Sequence, residues 1–147
     1  MSHSYVKNIL HVIFSTKERG KFIPRNFQTR LWSYIAGVCR NRGLIVDAIG
    51  GTDDHIHLLI EIPPKLSVSE AMAAIKANSS RWANTEGLDF AWQEGYAAFS
   101  VSESDVPALR RYIHGQEAHH KKISFDEEFI GLLNAHHVEF DPKYVLG

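Results

Sequence analysis

The chain has 147 residues, 44% of them hydrophobic and 22% charged, which fits one soluble globular domain spanning 1–147. No apolar run approaches the roughly 20 residues of a membrane helix, and the first eight residues lack the apolar core of a signal peptide. One cysteine, Cys39, excludes an internal disulfide and any multi-cysteine zinc site, so a cytoplasmic protein without membrane contact is the expectation. The net charge of −1 is poor for a nucleic-acid binder, but its distribution is uneven. Residues 1–42 carry eight basic side chains against Glu18 alone, whereas the remaining 105 carry eight basic and sixteen acidic ones. That asymmetry points to a basic face at one end of the fold, with scattered solvated charges as the alternative.

No repeat, linker or low-complexity stretch divides the chain. Tyr5 to Phe14 is apolar and β-branched enough for a buried strand, and the basic segment Ser15 to Pro24 is a loop punctuated by Gly20 and Pro24. Phe27, Leu31, Tyr34, Ile35 and Val38 recur at helical spacing, with Gly43 as the C-cap. Leu44 to Ile49 reads as a second strand, followed by a tight turn through Gly50-Gly51 and Asp53-Asp54. His55 to Ile62 is a third strand, stopped by Pro63-Pro64. Ser67, with Glu70 three residues on, caps a helix to about Ala83. Tyr96 to Val101 is a fourth strand. Ser102 is then the expected cap of one long helix running through His120, and a shorter helix covers Phe125 to Ala135. This order fits a ferredoxin-like α+β sandwich, an antiparallel sheet of four to five strands with helices packed on it.

The third strand carries the chemistry. Alternation puts His55, His57, Leu59 and Glu61 on one face and Ile56, Leu58, Ile60 and Ile62 on the other. The isoleucine side serves the core, so the histidines project from the opposite face, where two imidazoles at i and i+2 can converge on one cation. Two ligands do not make a metal site, and a pair of surface histidines is the plainer reading. A histidine-triad hydrolase would need a third histidine where Leu59 stands. In the last helix Tyr112 and Gln116 are four apart and share a face beside the stripe Val106, Leu109, Ile113. They place a hydroxyl and an amide oxygen on one element, although a tyrosine beside an apolar stripe more often packs into the core.

Taken together, these residues resemble the one-tyrosine HUH transposases, the short insertion-sequence and REP-associated tyrosine transposases acting on single-stranded DNA. Four blocks in order carry the resemblance: His11 to Lys17, His55-Ile56-His57 with Leu58 to Ile60, Trp92 to Ser102, and Tyr112-Ile113 with Gln116 and His119-His120. The resemblance implies that His55, His57 and Gln116 hold a divalent metal ion, Mg²⁺ or Mn²⁺. It also implies that Tyr112 attacks a DNA phosphodiester, leaving a 3′-hydroxyl and a 5′-phosphotyrosine. Single-stranded DNA with a hairpin would be the substrate, a homodimer the assembly, and no nucleotide cofactor would be needed.

DNA contacts are expected from Lys17, Arg19, Lys21 and Arg25 in the loop after the first strand, and secondarily from Lys76 and Arg81 on the second helix. His11 is expected as a hydrogen-bonded core histidine, and His114, His119, His120, His136 and His137 as surface residues. Trp32, Trp82 and Trp92 are expected to pack in the core or a dimer interface rather than to stack bases. Three alternatives stay open: a domesticated REP-associated or replication-type single-strand nickase, a non-catalytic DNA-hairpin-binding module, and a metal-dependent hydrolase that uses water.

Overall fold

The computed structural model describes residues 3–146. Four strands, β1 (Ile9–Ser15), β2 (Ile45–Gly51), β3 (His55–Glu61) and β4 (Ala97–Ser100), form one sheet in the order β2-β3-β1-β4. All three pairings are antiparallel. Helices α1 (Arg25–Asn41) and α2 (Val68–Thr85) connect β1 to β2 and β3 to β4, which is the ferredoxin-like arrangement expected. After β4 come a single 3-10 turn (Glu103–Asp105), α3 (Val106–His114), α4 (Gln116–His119) and α5 (Phe125–Ala135).

Several local signals operate as expected. Gly43 follows α1 at φ +79°, a left-handed position that favours glycine, and the amide of Leu44 there closes on Cys39. Ser67 Oγ accepts from the amide of Glu70 at 3.1 Å and starts α2. Strand β1 begins later than its sequence suggests. Its first partner, Glu61, is the last residue of β3 before the prolines, so Tyr5 has no strand to lie against and is 93% exposed.

The expected long helix from Ser102 to His120 is broken. Ser102 caps nothing: its hydroxyl donates to the Asp105 carboxylate at 2.9 Å, and the chain makes a 3-10 turn before α3 starts at Val106. At the other end Gly115, a poor helix former, separates α3 from α4, and its amide is shared by the carbonyls of Arg111 and Tyr112.

The two faces of the sheet are covered differently. Leu10, Val12 and Phe14 of β1 and Ile56, Leu58 and Ile60 of β3 form the main core with Leu31 and Ile35 of α1 and Met72 and Ile75 of α2. On the other face the apolar cover comes in two pieces. Ile9, Ala48 and Leu59 meet Val106 and Ile113 of α3, while Ile13, Ala97 and Phe99 meet Phe125, Phe129 and Leu133 of α5. Between the two clusters run His11, His55 and His57.

Gly50 of β2 sets how closely α3 approaches, because a Cβ there would lie 2.3 Å from the carbonyl oxygen of Ile113. At the outer edge of β2 a bulge between Val46 and Ala48 turns Asp47 outward, where Arg110 of α3 grips it with two bonds of 2.8 and 2.9 Å.

Candidate active site

Both histidines of β3 are fully buried, each with 0% exposure. They do project from the face opposite the main core, as alternation requires, but that face is no open surface, because α3, α4 and α5 roof it. In the antiparallel ladder His57 lies opposite Ile13, His55 opposite Ser15, and His11 opposite Leu59. His11 and His57 are therefore diagonal neighbours, and His11 Nε2 sits 2.8 Å from His57 Nδ1.

Each imidazole is oriented through its Nδ1. That of His55 meets the Asp54 carboxylate at 2.8 Å and the Thr52 hydroxyl at 3.0 Å, and that of His57 meets His11. The Nε2 atoms of both rings are thereby aimed into one space, the usual way a protein orients imidazoles for a cation. Gln116 reaches the same space: its Oε1 is 2.9 Å from His55 Nε2, while its amide nitrogen points back to the carbonyl of Tyr112 at 3.4 Å. The expected ligands His55, His57 and Gln116 are thus brought together.

Two further residues enter the same space. His120, expected on the surface, points inward because its Nδ1 donates to the carbonyl of Ile123 at 2.9 Å, and its Nε2 lies 3.0 Å from Glu128 Oε1. That placement corrects the surface expectation. Glu128 of α5 was not singled out from the sequence, although it left a signal: a charge in line with Phe125, Phe129 and Leu132 on an otherwise apolar stripe. Its Oε1 lies 3.0 Å from His57 Nε2 and 3.6 Å from His55 Nε2. Donor atoms of His55, His57, His120 and Glu128 all fall within 4.8 Å of one another.

Tyr112 of α3 is half-buried, and its hydroxyl donates to the other carboxylate oxygen, Oε2, of Glu128. Its ring meets those of His57 and His119 edge-on, at 5.7 and 5.3 Å between centroids. His119 is half-buried, with Nε2 3.3 Å from Glu128 Oε2. Burial, then the hydrogen bond to Glu128 and its charge, push the phenol above its ordinary value of 10. Burial alone would raise Glu128, but hydrogen bonds from His120 and His57 outweigh it and hold the carboxyl well below the usual range. Burial lowers His57 to about 4 against the opposing pull of Glu128, and burial with the nearby His57 lowers His11 to about 3. His11 is thus the hydrogen-bonded core histidine expected, while His114, His136 and His137 are exposed.

Of the basic loop, Lys17 is exposed. Arg19 pairs with Asp126 at 3.2 Å and also donates to the carbonyl of Leu146. Lys21 faces Asp53 and Asp54 at 3.5 and 3.4 Å, and Arg25 faces Glu117 at 3.1 Å. Lys21 and Arg25 line a cavity of about 550 Å³ that reaches His120. Lys76 and Arg81 stand on α2, across the sheet from the histidines. Lys76 is half-buried and donates to the carbonyls of Glu94 and Gly95, and Arg81 is exposed. Trp92 is buried, with its indole N–H on Ser79, and Trp82 stacks between Phe27 and Tyr34, as packing residues do.

Comparison with known proteins follows the same lines. The family described as "Transposase IS200 like" matches residues 4–116. Two curated relatives, transposases for insertion sequence element IS200 from Salmonella typhimurium and Salmonella typhi, are each 33% identical over 70 residues. That stretch is 48% of this chain and 46% of theirs, so the chain spans about half the length of the curated relatives it matches. Among solved structures, a Deinococcus radiodurans protein regarded as a transposase superposes with a TM-score of 0.63 at 23% identity, covering 77% of this chain and 94% of that one. A REP-associated tyrosine transposase bound to a REP hairpin gives a TM-score of 0.58 at 17% identity, covering 77% and 68%. The family match places the chain among transposases. The chain belongs to the IS200-like transposase family.

The buried histidines give the metal-free protein a defined acid response. His11 and His57 titrate well below 6.5 when folded, so the unfolded chain takes up more protons between about pH 4 and 6.5. Their contribution is complete above 6.5 and lost as pH falls, and Glu128 adds to the loss below 4.5. His120, raised by Glu128 against the effect of burial, works in the opposite sense but alone. Thermal unfolding in the presence of a chelator should show a lower Tm at pH 5 than at pH 7. A flat or rising profile would contradict this assignment.

Proposed function

We propose that this chain is a metal-dependent transposase that cuts and rejoins single-stranded DNA at hairpin-containing ends through a 5′-phosphotyrosine intermediate. One observation carries the reading: within a single chain the Tyr112 hydroxyl and the Nε2 atoms of His55 and His57 meet on opposite oxygens of one buried carboxylate. A nucleophile and a cation-binding pair are thereby set side by side, on a helix and a central strand.

His55, His57 and Gln116 would hold the ion, a set of two imidazoles and an amide oxygen that suits Mg²⁺ or Mn²⁺ and leaves positions for phosphate oxygens and water. A divalent cation there supplies Lewis acidity toward the scissile phosphate. Tyr112 Oη forms a bond to phosphorus as the bond from phosphorus to the 3′ oxygen breaks, and in balance the phenolic proton ends on the departing 3′ oxygen. The phosphodiester is exchanged rather than hydrolysed, so an incoming 3′-hydroxyl reverses the step without a nucleotide cofactor. Before DNA arrives, burial and Glu128 keep the proton on Tyr112 and the nucleophile at rest.

Incubating labelled hairpin single strands from the gene's flanking DNA with Mn²⁺ or EDTA tests the chemistry. A metal-dependent covalent adduct on the 3′ fragment is expected from the wild type and none from Tyr112→Phe. Cleavage that survives in the variant without an adduct would point to a water-using hydrolase, and tight binding without cleavage to a binding module.

The DNA track in this reading runs along Lys17, Arg19, Lys21 and Arg25, with Lys76 and Arg81 as secondary contacts. The relative solved with a REP hairpin supports a hairpin as partner. Arg19, Lys21 and Arg25 would exchange carboxylate partners for phosphates, which lowers their net gain but leaves the counterion release. Replacing all four loop residues by alanine should weaken hairpin binding and flatten its dependence on salt concentration. An unchanged slope would remove the loop from the interface.

A cytoplasmic homodimer completes the reading. Light scattering with and without DNA should give twice the chain mass, and a monomer under both conditions would exclude the dimer.

A further inference from the structure

We infer that Glu128 and His120, from the segment beyond the family-matched residues 4–116, are also ligands of the cation, so that the C-terminal helix is part of the metal centre. The inference rests on the proposed reading that His55 and His57 hold a divalent ion, and it extends the ligand set beyond His55, His57 and Gln116.

The argument is one of donors and acceptors. His120 Nδ1 faces the carbonyl of Ile123, and His55 Nδ1 faces the carboxylate of Asp54; both partners only accept, so both Nδ1 atoms carry hydrogens. A neutral imidazole protonated at Nδ1 presents a bare lone pair at Nε2. That of His120 is 3.0 Å from Glu128 Oε1, and that of His55 is 2.9 Å from Gln116 Oε1. Lone pairs of nitrogen and oxygen held at these distances in a buried site repel unless positive charge lies between them. His57 adds a third Nε2 at 3.0 Å from the same Oε1. The charge can come from extra protons or from an ion; 3.0 Å suits a hydrogen bond as well, and it is the convergence of four donor atoms within 4.8 Å of one another that points to an ion. Donors bonded at about 2.1 Å to one octahedral cation lie about 3.0 Å apart at adjacent positions, against 3.0, 3.0 and 3.6 Å from Oε1 to the three nitrogens. Three imidazoles and a carboxylate also favour Mn²⁺ over the harder Mg²⁺.

Among the described residues no lysine or arginine lies within ion-pair distance of Glu128; its charged neighbours are the imidazoles of His55, His57, His119 and His120. The Tyr112 hydroxyl occupies Oε2, so the ion would use Oε1, on which the Nε2 atoms of His57 and His120 converge.

Titrating Mn²⁺ into chelator-treated full-length protein, followed by the EPR signal of the free aqua ion, tests this. The wild type should bind one ion, Glu128→Gln should bind it at least about tenfold more weakly, and His57→Ala should lose it. Wild-type affinity in Glu128→Gln with loss in His57→Ala would overturn this inference and leave the proposed reading standing. Undiminished binding by His57→Ala, or none by the wild type, would overturn both. Hydrogen exchange on the wild type needs no variant to fold: Mn²⁺ should slow exchange across residues 125–135, and an unchanged rate there would overturn the assignment.

Discussion

A carboxylate with almost no access to water, surrounded by imidazoles, is the contact on which the rest of this molecule is organised. Burying an anion is expensive unless hydrogen bonds and opposite charge compensate it. Glu128 meets that requirement through His57, His120 and the hydroxyl of Tyr112, each from a different element. Strand β3, helix α3, the segment after α4 and helix α5 are thereby fixed to one point. Because the apolar cover on this face is split into two clusters, the polar groups occupy a seam rather than interrupting a continuous core.

The sheet supplies the precision. Strand β3 lies inside the sheet, so His57 is held in ladders with both β2 and β1, and His55 in the ladder with β1 and by the amide of Thr52 on its carbonyl. Their rings are then fixed from outside the site, one by Asp54 and Thr52 and the other by His11. The tyrosine is placed by a different device, the missing side chain at Gly50, which lets the backbone of α3 come down onto β2. A rigid strand, oriented rings and a seated helix are what in-line attack on a phosphodiester demands, since small errors in position cost rate heavily.

Much of the fold was legible because its signals are local. The alternation in His55 to Ile62, the glycine after α1 and the Ser67 cap are decided by residues within a few positions of one another. The same alternation put His55 and His57 on a shared face, and the four-residue spacing brought Tyr112 beside Gln116 even though Gly115 interrupts the helix. What failed was whatever depends on distant packing. A strand with one apolar and one mixed face looks half-exposed, and nothing nearby in the chain reveals that α5 will cover the mixed face. His120 looked like a surface residue for the same reason: its partner Glu128 is eight residues on, beyond a turn that reverses the chain. Ser102 failed because the chain makes a 3-10 turn over Glu103–Asp105 before α3 starts at Val106, so its oxygen accepts no helical amide.

The two margins of the sheet are unlike. Along β2 the bulge throws the ladder out of register and leaves a carboxylate clamped by Arg110, so an approaching strand would find neither matching amides nor an uncharged rail. Along β4 the four residues Ala97–Ser100 keep regular pairing with β1, and among the described residues no further strand pairs with their outer side. A strand added on that side would lie beside the residues that lead into α3 and Tyr112. Self-association by that route would be felt first at Tyr112.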